Sequence, residues 1–261
     1  MKEYLVFRLY GPLASWGQAA VGGDRLTGLQ PTRSAILGLL GAALGIKREQ
    51  AERLQALQTS VNIAVKQTVP TSLMRDYHTT QVPSYKNKVV HRTRKSELSE
   101  DKLNTILSSR DYRCDGVWII SIYLTSDAVH TLEQLKKALE TPVYLLSLGR
   151  KSCPLAAPMM PKIVKTTRLK QALDTDFPSL LATEKEEFFN NEERIRLNAN
   201  GWVSYFWEGE KSEFIEQGVI TTQPWDEPIS RDRWQFKQRV MHQITLKENH
   251  ENKLEGGADV S

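Results

Sequence analysis

Hydrophobic patterns fall along the first 150 residues in the order strand, helix, strand, strand, helix, strand, and that order predicts an α+β protein with a ferredoxin-like (RRM-like) core. Two further observations complete the expected architecture. A basic stretch of about 45 residues interrupts the core between its second and third strands, as a thumb would, and a region with strand-like runs follows the core as a C-terminal extension.

The first strand is "EYLVFRLYG", where Leu5, Phe7 and Leu9 alternate with Tyr4, Val6, Arg8 and Tyr10. "PTRSAILGLLGAALGI" begins with hydroxyls suited to a helix cap and continues as a dense apolar helix. "VNIAVKQTV" reads as the second strand and "VWIISIYLT", rich in β-branched residues, as a buried third. In "DAVHTLEQLKKALE" Val129, Leu132, Leu135 and Leu139 form one helical stripe, and "PVYLLSLG" supplies the expected fourth strand. The two helices would cover one sheet face and leave the other free for a ligand, as in RNA-recognition domains. The expected boundaries are 1–158 for the core domain with its insertion at about 70–114, 159–246 for the extension, and 247–261 for a flexible tail. Within the extension, "TEKEEFFNNEERIR" reads as an acidic helix and "GWVSYFW" and "RWQFKQRVMHQITL" as strands.

Net charge is +4, and the segment from Pro70 to Cys114, with nine cations and five acids, carries an excess of the same size. "YKNKVVHRTRK" holds five cations and no acid, so a polyanionic partner is expected there, with Arg94 and Lys95 at its end. The N-terminus lacks the pattern of a signal peptide, and the longest apolar run, Ala35 to Ile46, is too short to span a bilayer. A cytoplasmic protein without membrane association is expected. The two cysteines, Cys114 and Cys153, have no neighbours at metal-ligand spacing, so neither disulfide nor metal is expected, and no cofactor motif is present.

Chemistry concentrates in four places. "SLGRKSCPLA" ends like a phosphate-binding loop, but Tyr144 stands where that loop needs its first glycine. A phosphate-contacting turn survives this, with Gly149 permitting close approach and Arg150, Lys151 and Ser152 donating. Cys153 has cations beside it but no base, and is expected to be the least functional polar residue of the stretch. "RDYHT" gathers Arg75, Asp76, Tyr77 and His78, types that can stack on bases and bind phosphate, or move a proton in metal-free RNA cleavage, for which His91 is a second candidate. Arg33, with Ser34 beside it, occupies the first turn of a helix where the dipole disfavours a cation, and an anion held jointly with the helix N–H groups and Arg25 would remove that conflict. Trp16 and Gln18 could stack on and hydrogen-bond a base, unless Trp16 packs in the core.

Taken in order, "GPLASWGQ", "PTRSAILGLLGAALGI", "MRDYHT", "SRDYRCDGVW" and "SLGRKSCPLA" resemble the Cas-five family of RAMP proteins as found in type I-E CRISPR Cascade complexes, over about Met1 to Pro158. The resemblance implies a non-catalytic RNA-binding subunit of an antiviral complex. Such a subunit holds the 5′ handle of the crRNA, caps the backbone, contacts the neighbouring backbone subunit and the large subunit, and meets target DNA only through the complex. It also implies RNA-binding roles for Trp16, Gln18, Arg25, Arg33, Ser34, Arg75, Tyr77, His78, Arg94, Lys95, Gly149, Arg150, Lys151 and Ser152. Type I-C relatives cut precursor RNA with Tyr, Lys and His, so a metal-independent endoribonuclease is the alternative expectation.

Overall fold

The structure, a computed structural model, describes residues 1–18, 23–84, 90–99, 101–180, 197, 199, 201–230, 233 and 235–247. In chain order the first half contains β1 (Lys2–Ala14), β2 (Asp24–Arg25), α1 (Arg33–Ala43), α2 (Ala51–Ser60), β3 (Val61–Gln67), β4 (Ser72–Pro83), α3 (Arg94–Leu98) and β5 (Leu103–Leu124). The second half contains α4 (Leu132–Glu140), β6 (Lys162–Thr166), α5 (Leu169–Leu173), β7 (Trp202–Trp207), β8 (Ile220–Thr222), β9 (Glu227–Ser230), β10 (Gln235–Lys237) and β11 (Met241–Lys247). The expected acidic helix and the tail beyond Lys247 lie outside the described residues.

One sheet runs in the order β6-β1-β5-β3-β7-β11-β8, every neighbouring pair antiparallel, while β9 and β10 pair separately. The sheet crosses the boundary expected at 158, because β6 pairs with β1 and β7 with β3. The region after 158 is therefore a continuation of the sheet. The strand expected at "PVYLLSLG" is absent. Val143 and Tyr144 instead donate their N–H groups to the carbonyls of Ala43 and Ala42 at the end of α1, and Lys162–Thr166 takes the place on β1.

Helix starts follow the sequence. Thr32 caps α1 by accepting from Ala35 N–H, and Thr131 with Gln134 forms a reciprocal capping box on α4. On one side of the sheet, Leu5, Phe7 and Leu9 of β1, Ile63 and Val65 of β3, and Trp118, Ile120 and Ile122 of β5 pack with α1, α2 and α4. The other side was expected to be free, and it is covered. Tyr4, Val6, Ala64, Ile119 and Tyr123 are buried with Leu169, Ala172 and Leu173 of α5 and with Phe177. Arg8, on this same side, donates to Pro178 O and lies over the Phe177 ring, and Lys66 pairs with Asp174 at 2.7 Å. Apolar residues on both sides of these strands require two covering layers, which the extension provides.

β5 is far longer than its core portion. Its second half lies in the sheet, and its first half pairs with β4 from Ser72↔Cys114 to Pro83↔Leu103. At about 3.4 Å per residue this two-stranded ribbon is about 40 Å long. Both of its faces carry exposed residues, and α3 packs near its far end, where Arg94 donates to Gln81 O.

Candidate nucleic-acid interface

At the base of the ribbon three guanidinium groups gather around one carboxylate. Arg75 and Asp111 face each other across the strand pair and bond through two N–H···O contacts of 2.7 and 3.0 Å. Arg113 and Arg150 add their fields, so that Asp111 is held below the usual aspartate range, chiefly by its bond to Arg75, although burial pulls the other way. Arg113 Nε donates to Gly28 O at 3.0 Å. Arg150 donates to the backbone carbonyls of Asp111 at 3.3 Å and Arg25 at 2.9 Å, and its guanidinium stacks 4.9 Å from the Tyr112 ring centre. β2 completes the junction by pairing parallel with Ser109 and Arg110, and Ser109 Oγ donates to Asp24. Asp24 also acts on Arg75, but two carboxylates do not neutralise three guanidiniums, so a positive field remains at a surface made of backbone turns.

The turn expected at "SLGRKSCPLA" is present: Leu148 N–H donates to Cys153 O at 2.7 Å and Ser15 N–H to Leu148 O at 2.9 Å. Gly149 has φ +87°, and a Cβ there would lie 1.8 Å from Ser15 O. The close approach that Gly149 permits is thus to the protein's own backbone, not to a phosphate. Arg150 is likewise engaged in joining strands, whereas Lys151 and Ser152 are exposed on the turn. Cys153 is fully buried in the core, where burial raises its thiol above the usual range. That burial keeps it unreactive and makes Cys153 a packing residue.

Further along the ribbon Tyr77 is 64% exposed, and His78 shares a hydrogen bond with Asp76. Arg94 pairs with Glu97 at 2.6 Å and Lys95 is exposed beside it on α3. Gln18 is exposed near Gly28.

Two expected contacts are corrected. Trp16 is 1% exposed and meets Trp118 edge to face at 5.0 Å, so its ring has no face left for a base. Arg33 is 8% exposed and lies inside the protein. Its side chain pairs with Glu208 and Glu227 and donates to the carbonyls of Gln58 and Val61, and its N–H donates to Asp226 at 2.8 Å. An anion does resolve the conflict at the start of α1, but the chain supplies it from its own C-terminal region. Ser34, half-buried in the same first turn, sits 3.2 Å from the Thr32 hydroxyl.

The family model described as "CRISPR-associated protein (Cas_Cas5)" matches residues 4–242. This chain belongs to that family. Over 167 residues, 61% of the chain and 70% of the relative, it is 40% identical to the "CRISPR system Cascade subunit CasD" of Escherichia coli (strain K12). Two solved structures share the fold. A chain of a "CRISPR RNA-guided surveillance complex" has a TM-score of 0.60 at 20% identity, covering 94% of this chain and 90% of that one. A "Crystal structure of Cas protein" gives 0.58 at 23% identity, covering 94% and 95%.

In this Cas5-family chain the sequence reading missed Asp111 and Arg113 as site residues. Their signal was "SRDYRCDG", where Asp111 and Arg113 fall two apart and therefore on one face of a strand. It went unread because the strand was expected to begin at Val117, whereas β5 begins at Leu103. No helix among the described residues is long and apolar enough to cross a membrane.

Proposed function

We propose that this chain is a non-catalytic guide-RNA-binding subunit of a Cascade-type interference complex in the cytoplasm, holding the 5′ handle of the crRNA and capping the complex's backbone beside a neighbouring backbone subunit and the large subunit. The observation that carries the reading is the cluster of Arg75, Arg113 and Arg150 around Asp111, three guanidiniums against the two carboxylates of Asp111 and Asp24, presented at the root of an exposed ribbon. The CasD relative's description as a Cascade subunit supports the choice of complex. In this reading the four strands β6-β1-β5-β3 are a ferredoxin-like core, since they hold the fourth, first, third and second places of that fold, and the ribbon is its thumb. RNA lies along the ribbon and the 149–152 turn, not on the sheet face that α5 covers.

Lys151 tests this directly, because it is exposed and its removal leaves the ribbon base intact. Lys151→Ala in the assembled complex is expected to weaken handle-RNA binding several-fold and to reduce the log-log salt slope by about 0.7, as loss of one single-strand phosphate contact requires. Fluorescence anisotropy across a salt series measures both, and an unchanged slope for Lys151→Ala and Lys95→Ala alike would refute the reading. Incubation of the purified chain with repeat RNA in EDTA gives no specific cleavage if the subunit is a binder. Cleavage lost in His78→Ala would instead establish the endoribonuclease.

A further inference from the structure

The 147–154 turn closes on a bridge between Ser147 and Pro154, and beyond that bridge its two arms part. Between them, and against the end of α4, lies an apolar groove of about 800 Å³. Its rim is unusually apolar for a surface: Leu145 is 99% exposed, and Val143, Tyr144 and Met160 are exposed with it. Leu155 and Met159 form part of its floor.

The backbone of both arms restricts what can fill this groove. Pro142, Pro154, Pro158 and Pro161 bring no N–H. The N–H groups of Val143, Tyr144 and Ala156 are taken up by Ala43 O, Ala42 O and Tyr10 O at 3.1, 3.2 and 3.0 Å. An extended peptide adding itself as a strand needs a ladder of such donors, and these walls interrupt it. A helix satisfies its own backbone and needs only side-chain complementarity. Charge sets a second condition. Of the residues lining the groove only Glu140 and Lys162 are charged, and they come from different elements, Glu140 in the last turn of α4 and Lys162 at the start of β6. Glu140 lies 4.0 Å from Lys136, and Lys162 donates to Asp176 O at 3.1 Å, a neutral acceptor that leaves its charge in place.

We propose that this groove docks an amphipathic helix of a different polypeptide, one whose apolar stripe is flanked by a cation on the Glu140 side and an anion on the Lys162 side. The two flanking charges fix the direction in which the helix runs. Apolar residues at i, i+3, i+4 and i+7 seat against Val143, Leu145 and Met160. The proposal does not depend on RNA binding, since none of the three guanidiniums of the ribbon base lines the groove.

A photoreactive benzophenone amino acid at position 145, in the full chain co-expressed with the products of its neighbouring genes, tests the occupant. Crosslinks are expected on one segment of another polypeptide, at residues three and four apart and with the stated flanking charges. Leu145→Glu, at a fully exposed position that folding does not depend on, is expected to reduce retention of that polypeptide about tenfold, as loss of a central apolar anchor does, with handle-RNA affinity of the chain unchanged. Crosslinks to RNA, to a second copy of this chain, to an extended segment or to nothing overturn the proposal, as does full retention by Leu145→Glu. If Lys151→Ala leaves RNA binding untouched while position 145 crosslinks a helix, the RNA reading fails and the docking groove stands.

Discussion

Asp111 shows how a single residue sets the character of the candidate interface. Among the described residues its carboxylate is the acid bonded directly to a guanidinium at the ribbon base, and it holds Arg75 in place through two bonds while Arg113 and Arg150 lean on its field. Because its pKa is lowered in the folded protein, its contribution to stability is present above the usual aspartate value of about 3.9 and is lost as pH falls through the lower folded value. The stability gap between the native chain and Asp111→Asn, measured by urea unfolding, is therefore expected to be constant from about pH 7 to 5 and to close only below about pH 4. A gap that closes near neutrality would show that another group carries it. Asp111 and Arg113 were legible as residue types within a basic segment, but their convergence with Arg150 was not. Some 37 residues separate Arg113 from Arg150 in the chain, and only the pairing of β5 with β2 beside the turn brings them together.

At the scale of elements, the 147–154 turn and the ribbon are each determined by backbone geometry. Gly149 combines a left-handed φ with contact against Ser15, so Gly149→Ala is expected to cost about 2 kcal/mol or more through strain and overlap together. Its midpoint in urea should fall accordingly, and the salt-slope contribution of Lys151 should fall with it if the turn shifts. A mild effect on both would mean that the turn relaxes without Gly149. The periodicity of β1, β3, α1 and α4 was readable because each buries a face with its own repeat. "PVYLLSLG" misled for a physical reason: an apolar run marks contact with something apolar, not a strand. Here the run closes the end of α1 and then lines the groove.

Across the whole molecule, the C-terminal region is bound to the core through a buried charge network. Arg33 pairs with Glu208 and Glu227, while Asp226 takes the Arg33 N–H and is itself chelated by Arg239 at 2.6 and 3.0 Å. Removing one partner strands the others in a low-dielectric interior, so Arg33→Ala is expected to destabilise the chain by about 3–5 kcal/mol, read as a large fall in the thermal midpoint. If Arg33→Ala instead left stability intact and reduced only RNA affinity, the original expectation of an RNA contact would be restored.

By itself the sequence determined which segments alternate with period two or 3.6, where helices begin, that a basic segment separates "VNIAVKQTV" from "VWIISIYLT", and which family strings are present. These properties depend on neighbours a few residues away, and local sterics and burial set them. Tertiary structure alone decided three things: that Lys162–Thr166 rather than "PVYLLSLG" borders β1, that α5 covers the second sheet face, and that Arg33 answers to carboxylates some 175 to 194 residues away. Each is a choice between chemically equivalent partners, since an apolar face accepts any apolar cover and a guanidinium accepts any well-placed anion. Only the chain's path through space says which one arrives.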